Sequence, residues 1–108
     1  MNRGGFMRIL LFFDLPTKTK KHKRDYLRFR NFLLNEGFDM MQLSVYCRLV
    51  NGHESMERQL EKVKRNLPPE GSIRVLPVTE KQYERMRLLL GEKTANEEKV
   101  TINQLTLF

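Results

Sequence analysis

Apolar and polar positions alternate along this chain of 108 residues with more than one period. Ile9 to Phe13 form an unbroken run of large, branched and aromatic residues, which is typical of a short strand buried on both faces. Pro16 cannot donate a hydrogen bond to a sheet, so the strand is expected to run from about Arg8 to Asp14. Asp14 is therefore predicted where a core strand reaches the surface.

Two segments carry apolar residues at helical spacing. The first predicts a helix from about Lys18 to Glu36, ended by Gly37, and the second predicts a helix capped by Asn51 or Ser55 and stopped by Pro68-Pro69. The apolar positions are Tyr26, Phe29 and Leu33, with Leu27 and Leu34, in the first helix, and Met56, Leu60, Val63 and Leu67 in the second.

The segments between and after these helices have strand character. Asp39 to Val50 alternates with a period of two, but it is long for one strand, so a bend or bulge near Gln42–Ser44 could divide it. Ser72 to Val78 is a third extended segment, in which Pro77 favours the edge of a sheet or the end of a strand.

The C-terminal part of the chain begins with a capping box, Thr79-Glu80-Lys81-Gln82. This box predicts a short helix that carries Tyr83, Met86, Leu89 and Leu90 and closes at Gly91. The polar segment from Glu92 to Lys99 is linker-like, and Val100 to Phe108 regains strand character.

The order strand, helix, extended pair, helix, strand predicts an α+β fold, the βαββαβ ferredoxin-like sandwich. Residues 1–6 are then an N-terminal extension, 7–91 the domain, and 92–108 a linker with an extra C-terminal strand. An apolar edge strand is a liability in a monomer, so the extra strand is expected to pair with a partner chain.

The net charge of +7 is concentrated at the start of the first helix. Between Thr17 and Arg30 there are seven Lys or Arg residues and one acid, Asp25. A solvated helix face would explain such a run, but cations at a helix start oppose the macrodipole, which favours a polyanionic partner instead. The predicted phosphate contacts are Lys18, Lys20, Lys21, Lys23, Arg24 and Arg28. Arg48 and Arg74 lie on predicted strands. The sequence leaves two roles open for them, as phosphate contacts or as exposed ion-pair partners.

The remaining composition argues against several classes of protein. No apolar run approaches the ~18 residues that span a bilayer, and no secretory signal is visible. Cys47 is the single cysteine, which excludes an intramolecular disulfide and suits a reducing cytoplasm. His22 and His53 have no Cys or acid at ligand spacing, which disfavours a zinc site.

Several short motifs resemble, in their order and spacing, the CRISPR-associated protein-two family, the small subunit of the spacer-acquisition complex. The motifs are Phe13-Asp14-Leu15-Pro16, Gly37-Phe38, Gln42-Leu43-Ser44-Val45-Tyr46, and Pro77-Val78-Thr79-Glu80-Lys81-Gln82-Tyr83. The resemblance covers Met7 to about Tyr83. One departure is visible: many members have Tyr where this chain has Phe13, which removes a hydroxyl beside the acid.

The resemblance implies a homodimer in which the two Asp14 carboxylates face each other near the two-fold axis and bind a divalent metal, usually Mg²⁺. It also implies that Ser44 and Tyr46 lie near the acid, with Asp14 and Ser44 as the candidate catalytic residues. Some family members are described as metal-dependent endonucleases on single-stranded RNA or double-stranded DNA. The family also provides the central scaffold of an integrase, whose larger subunit carries the chemistry.

Three functions follow from the sequence. The first is a scaffold that holds duplex DNA through its phosphates, and the second is a magnesium-dependent endonuclease that uses Asp14. The third is a ferredoxin-like RNA-binding module that stacks bases on sheet aromatics, which is weaker because most of the aromatics are expected in the core. A structural alternative for Asp14 is a residue that caps the turn at Pro16–Thr19.

Overall fold

The computed structural model describes residues 5–91. They form β1 (Phe6–Asp14), α1 (Lys20–Asn35), β2 (Asp39–Gln42), β3 (Val45–Asn51), α2 (His53–Arg65), β4 (Ser72–Thr79) and α3 (Glu80–Glu84). The predicted strand from Val100 to Phe108 and the polar segment before it lie outside the described residues. The division of the chain at 1–6, 7–91 and 92–108 stays a prediction.

The four strands form one antiparallel sheet in the order β2-β3-β1-β4. This order and the sequence of elements confirm the ferredoxin-like sandwich. β1 lies at the centre of the sheet, where Leu10 pairs with Cys47 of β3 and with Leu76 of β4. Pro77 lies on β4, which is an edge strand within the described chain, as its missing N–H predicts.

One face of the sheet packs against α1 and α2 and forms the core. Alternate residues of β1 point into this core, together with Tyr26, Phe29 and Leu33 of α1 and Met56 and Val63 of α2. The predicted helical stripes are confirmed only in part: Leu60 is partly buried, whereas Leu27, Leu34 and Leu67 are exposed, and Leu67 follows the end of α2. The fully or nearly fully buried residues of the core are Ile9, Leu11, Phe13, Tyr26, Phe29, Leu33, Phe38, Tyr46, Val50, Met56 and Val63.

The opposite face of the sheet is largely open in the single chain. Phe12 of β1, Leu49 of β3 and Leu76 of β4 lie on it with 36%, 43% and 52% of their surface exposed. The prediction that the apolar run of β1 is buried on both faces is therefore wrong for Phe12.

The boundaries of β1, α1 and β4 differ from the predicted ones by at most two residues. β1 begins at Phe6, and α1 begins after Thr19, whose hydroxyl caps it. The long extended segment is divided into β2 and β3, as a bend near Gln42–Ser44 predicts, and Ser44 adopts a positive φ of 66° in the connecting turn.

The ends of the other two helices correct the sequence analysis. α2 is preceded by Gly52 at a φ of 95° with no side-chain cap, so neither Asn51 nor Ser55 caps it. The third helix ends at Glu84 rather than near Gly91. Beyond Tyr83 its expected apolar stripe is exposed, with Met86 at 48% and Leu89 at 86%, so no buried face stabilises further turns within the described chain.

The short helix α3 is attached to β1 by the guanidinium group of Arg8. Arg8 Nε lies 2.8 Å from Glu80 Oε1, and Arg8 Cζ lies 4.2 Å from the centre of the Tyr83 ring. The hydrogen bond from Arg8 lowers the pKa of the Glu80 carboxyl. The predicted capping box is confirmed, because Thr79 Oγ1 accepts a hydrogen bond from Gln82 N at 3.1 Å.

None of the helices in residues 5–91 is long and apolar enough to cross a membrane.

Candidate functional site

Asp14 is the last residue of β1 and is exposed. It pairs in register with Ser72 of β4. Because Phe13 points into the core, strand alternation places Asp14 on the open face of the sheet. The prediction that Asp14 stands at the surface end of a core strand is confirmed. Among residues 5–91 its carboxylate has no hydrogen-bond or ion-pair partner.

The backbone around Asp14 is held from two sides. Phe13 N donates a hydrogen bond to Ser44 O at 3.1 Å, which ties the end of β1 to the turn between β2 and β3. On the other side, Gly71 has a φ of 101°, and a Cβ atom there would lie 2.7 Å from Asp14 O. Only glycine allows this approach, so the turn before β4 fixes the position of Asp14.

The side chain of Phe13 anchors the residue before the acid. Its ring centre lies 5.5 Å from that of Tyr26 and 5.9 Å from that of Phe29, both edge-on, and 5.7 Å from that of Tyr46 in a stacked arrangement. Such contacts stabilise beyond the area they bury. The strand end that carries Asp14 is therefore rigid, although its carboxylate is exposed.

Ser44 and Tyr46 both contact Phe13, the residue before Asp14. The main chain of Ser44 contacts Phe13, while its hydroxyl hydrogen-bonds with Tyr26 on the helix side of the sheet. Burial raises the pKa of the Tyr26 phenol, and the bond with Ser44 opposes this effect. A catalytic role for Ser44 stays a prediction, and its observed contacts hold the backbone of the strand end.

Asp14 offers one ligand for a magnesium ion at this end of the sheet. Mg²⁺ takes hard oxygen ligands and keeps several waters, and an exposed carboxylate such as Asp14 meets that requirement. The described residues contain no group of three or more His, Cys, Asp or Glu side chains that could hold a metal. The ion therefore fits only with further oxygens, from a second copy of the chain or from nucleic-acid phosphates.

The cationic run begins at the loop after Asp14 and continues into α1. All six predicted phosphate contacts are exposed: Lys18, Lys20, Lys21, Lys23, Arg24 and Arg28. Lys21 Nζ lies 3.1 Å from Asp25 Oδ2, and this is the only ion pair of the six within the described chain. Lys20, Arg24 and Arg28 are four residues apart and form one stripe, opposite the buried Tyr26 and Phe29.

The start of α1 is ordered although its charges oppose the helix dipole. No acid lies in the first turn. A capping box replaces it: Thr19 Oγ1 accepts a hydrogen bond from His22 N at 3.0 Å, and Thr19 N donates to His22 Nδ1 at 3.4 Å. His22 Nε2 lies 3.0 Å from Glu70 Oε2, which links the start of α1 to the turn before β4.

The fold thus brings an exposed acid and a cationic helix start to the same end of the domain. A family model described as CRISPR associated protein Cas2 matches residues 7–86, which contain both features. The chain belongs to the Cas2 family.

Individual relatives agree with this assignment. A protein of Acidovorax ebreus named CRISPR-associated endoribonuclease Cas2 is 50% identical over 102 residues, which are 94% of this chain and 100% of that protein. A protein of the same name from Campylobacter jejuni is 48% identical over all of this chain and 76% of its own length. One from Treponema denticola is 43% identical over 80% of this chain.

The Cas2 match confirms the resemblance seen in the sequence motifs, and it covers every element from β1 to α3. The close approach of Gly71 to Asp14 was not predicted. Its sequence signal is weak: a glycine after Pro68-Pro69-Glu70 indicates a turn, but the strand end that packs on that turn lies far away in the chain.

Proposed function

We propose that this Cas2-family chain is a homodimeric scaffold that holds double-stranded DNA for spacer integration, together with a larger integrase subunit. The exposed cationic start of α1 is the observation that carries the proposal. Its charges weaken the helix locally and, apart from Lys21, have no carboxylate partner in the described chain. A phosphate backbone would compensate them and release counterions.

The geometry of the run supports contact with phosphates rather than with bases. Lys20, Arg24 and Arg28 form a convex stripe on the outer surface of α1. Such point charges position a duplex without reading its sequence. This matches a scaffold, which has to accept spacers of any sequence.

The open face of the sheet supports the homodimer. Phe12, Leu49 and Leu76 leave apolar surface uncovered there, and Asp14 lies at the end of the same face. A second copy packed on this face would cover the apolar residues and bring a second carboxylate towards Asp14.

Magnesium-dependent endonuclease activity on RNA or DNA is the second candidate function. The specific observation in its favour is an exposed carboxylate, without a partner in residues 5–91, on a strand end that is fixed by Ser44 and Gly71. Several relatives are named endoribonucleases. When bound, a magnesium ion would neutralise phosphoryl charge and lower the pKa of a water molecule. In this chain Asp14 would hold the ion, and the start of α1 would bind the cleaved strand.

The third reading from the sequence, an RNA-binding module that stacks bases on the sheet, has less support. Phe12 and Phe6 are exposed at 36% each, but the other described aromatic residues of the strands, Phe13 and Tyr46, are buried.

The substitution Asp14→Ala separates the first two functions. We expect duplex binding and spacer insertion with the integrase subunit to persist, and magnesium-dependent cleavage by the isolated dimer to disappear. Loss of insertion would contradict the scaffold, and cleavage that persists would place hydrolysis elsewhere. Sedimentation of the wild-type chain as a single copy would contradict the homodimer.

A complementary variant tests the cationic run. Replacing Lys20, Lys21 and Arg24 with Ala should weaken binding of every duplex sequence and reduce the slope of log K against log salt by about two to three. A loss confined to particular sequences would argue against contact through phosphates.

A further inference from the structure

A cleft of about 390 Å³ lies between β3, α2 and the end of α1. It is bordered by the end of β3, where Asn51 pairs with Phe6, so it lies at the opposite end of β1 from Asp14. Arg48, Arg58 and Lys62 line it, and Glu36 is the one acid among its lining residues. The cleft therefore carries an excess of positive charge.

A buried amide organises the floor of the cleft. Gln59 is only 4% exposed. Its Oε1 accepts a hydrogen bond from Arg48 Nη1, and its Nε2 donates to Glu36 Oε1 at 3.2 Å. Lys62 Nζ lies 3.4 Å from the same oxygen. The bond from Gln59 and the charge of Lys62 lower the pKa of Glu36, so a single carboxylate is shared by this network.

Arg58 lies at the rim of the cleft and is only weakly compensated. Its Nη2 donates to Ser55 Oγ at 3.1 Å, which orients the guanidinium group without neutralising it. Glu54 lies 3.6 Å away but is 91% exposed, so this ion pair is screened by solvent. An arginine held in this way can offer its remaining N–H groups to a phosphate.

The rim of the cleft continues the cationic surface of the helix layer. Arg58, Lys62 and Arg65 are spaced by four and three residues and form a stripe on α2, while Glu57 and Glu61 lie to one side of it. The pair between Lys62 and Glu36 joins this stripe to the end of α1, whose 16 residues span roughly 24 Å. This pair places the α2 stripe beside the C-terminal end of α1, with the cationic start of α1 at the other end of that helix.

We propose that the cleft is a second phosphate-binding site, which takes backbone phosphates of a duplex that also contacts the start of α1. Arg58 and Lys62 contact the phosphates. Gln59 positions the guanidinium group of Arg48 on the floor of the cleft, beneath the phosphates. The proposal rests on the proposed DNA-holding function and extends it to the opposite end of the helix layer.

The test is the double variant Arg58→Gln/Lys62→Gln in the full chain, with a duplex of about 20 base pairs, roughly 70 Å long, as the probe. Gln at position 62 can still donate to Glu36, which protects the fold. We expect the salt slope of binding to fall by about two. The control Lys64→Gln/Lys81→Gln removes the same charge from exposed sites outside the cleft and should leave the slope nearly unchanged.

A second measurement reports on the cleft directly. Titration of the wild-type chain with the duplex should shift the Arg58 Nε–H resonance, assigned by its absence in Arg58→Gln. The Ala variant of Lys20, Lys21 and Arg24 serves as the reference for duplex binding through α1. If that variant is defective but the salt slope of the cleft variant and the Arg58 resonance are both unchanged, the cleft is not a phosphate site, although the scaffold function still stands. Absence of duplex affinity in the wild type would overturn both. A shift caused by a polyglutamate peptide but not by the duplex would also overturn the proposal, and would assign the cleft to an acidic protein.

Discussion

The end of β1 and the start of α1 are close in the chain but are held in different ways. Asp14 follows Phe13, whose ring packs on other aromatic rings and whose N–H donates a hydrogen bond to Ser44 O. The carbonyl oxygen of Asp14 itself lies close to Gly71. The cations of α1 are exposed, and only Lys21 has an acidic partner in residues 5–91. At the strand end, contacts fix the position of the Asp14 backbone. At the helix start, the cationic side chains contribute charge, but apart from Lys21 no ion pair in residues 5–91 fixes their positions.

This contrast predicts that the strand end is sensitive to shape. Gly71→Ala should lower the free energy of unfolding by about 3 kcal/mol, because the new Cβ meets Asp14 O and the positive φ is strained. Gly52→Ala is the matched control, since its φ of 95° is similar but no atom of the described chain lies within 4 Å of a Cβ placed there. Equal losses for the two variants in urea denaturation would show that Gly71 matters only for its φ.

The turn on the other side of Asp14 should respond to backbone strain. Ser44→Val places a branched residue at a φ of 66° and should cost about 2 kcal/mol, whereas Ser44→Gly should cost less than about 1 kcal/mol. Thermal melting of both variants measures the difference. A Val variant as stable as the Gly variant would mean that the turn is not fixed in this conformation.

At the helix start, a change of charge should have opposite effects on stability and on duplex binding. Lys20→Glu should raise stability by about 0.5 kcal/mol at low salt, because it suits the helix dipole, and should weaken duplex binding. Lys64→Glu, in the last turn of α2, should lower stability by a similar amount. The gain should vanish in about 1 M salt, where the Debye length is about 3 Å. A gain that survives high salt would argue against this electrostatic origin.

The smallest predicted effect on stability concerns Glu36, which caps the C-terminal end of α1. The pKa of Glu36 is lowered in the folded state by Gln59 and Lys62, from an ordinary value of 4.5. Its contribution to stability is therefore present above pH 4.5 and is lost as the pH falls through the lowered folded pKa. Glu36→Gln should be less pH-dependent over this range than the wild type, as measured by urea unfolding at several pH values. Identical pH profiles would remove Glu36 from the network.

The sequence predicted the fold because local patterns and fold agree over most of the chain. The apolar stripe at Tyr26, Phe29 and Leu33 and the capping box at Thr79 lie where their spacing placed them. The third helix was overestimated, because Leu89 and Leu90 have the right spacing but no surface to cover them in residues 5–91. A pattern indicates which face would be buried, but it does not show whether a partner is present.

The candidate site was predicted only in part, for a related reason. Asp14 and the cationic run were visible because each belongs to a continuous segment. The contacts that fix Asp14 come from Ser44 and Gly71, which lie 30 and 57 positions further along the chain. The cleft around Gln59 likewise joins three separate elements.

The sequence by itself determined the order of elements, most of the core-facing residues of both long helices, the acid at the end of β1 and the place of the excess charge. These properties depend on period, capping and charge within short stretches of chain. The tertiary structure decided which face of the sheet stays open, what holds Asp14 in place, and which cations meet around Gln59. Such contacts depend on the register of distant strands, and local sequence does not encode that register by itself.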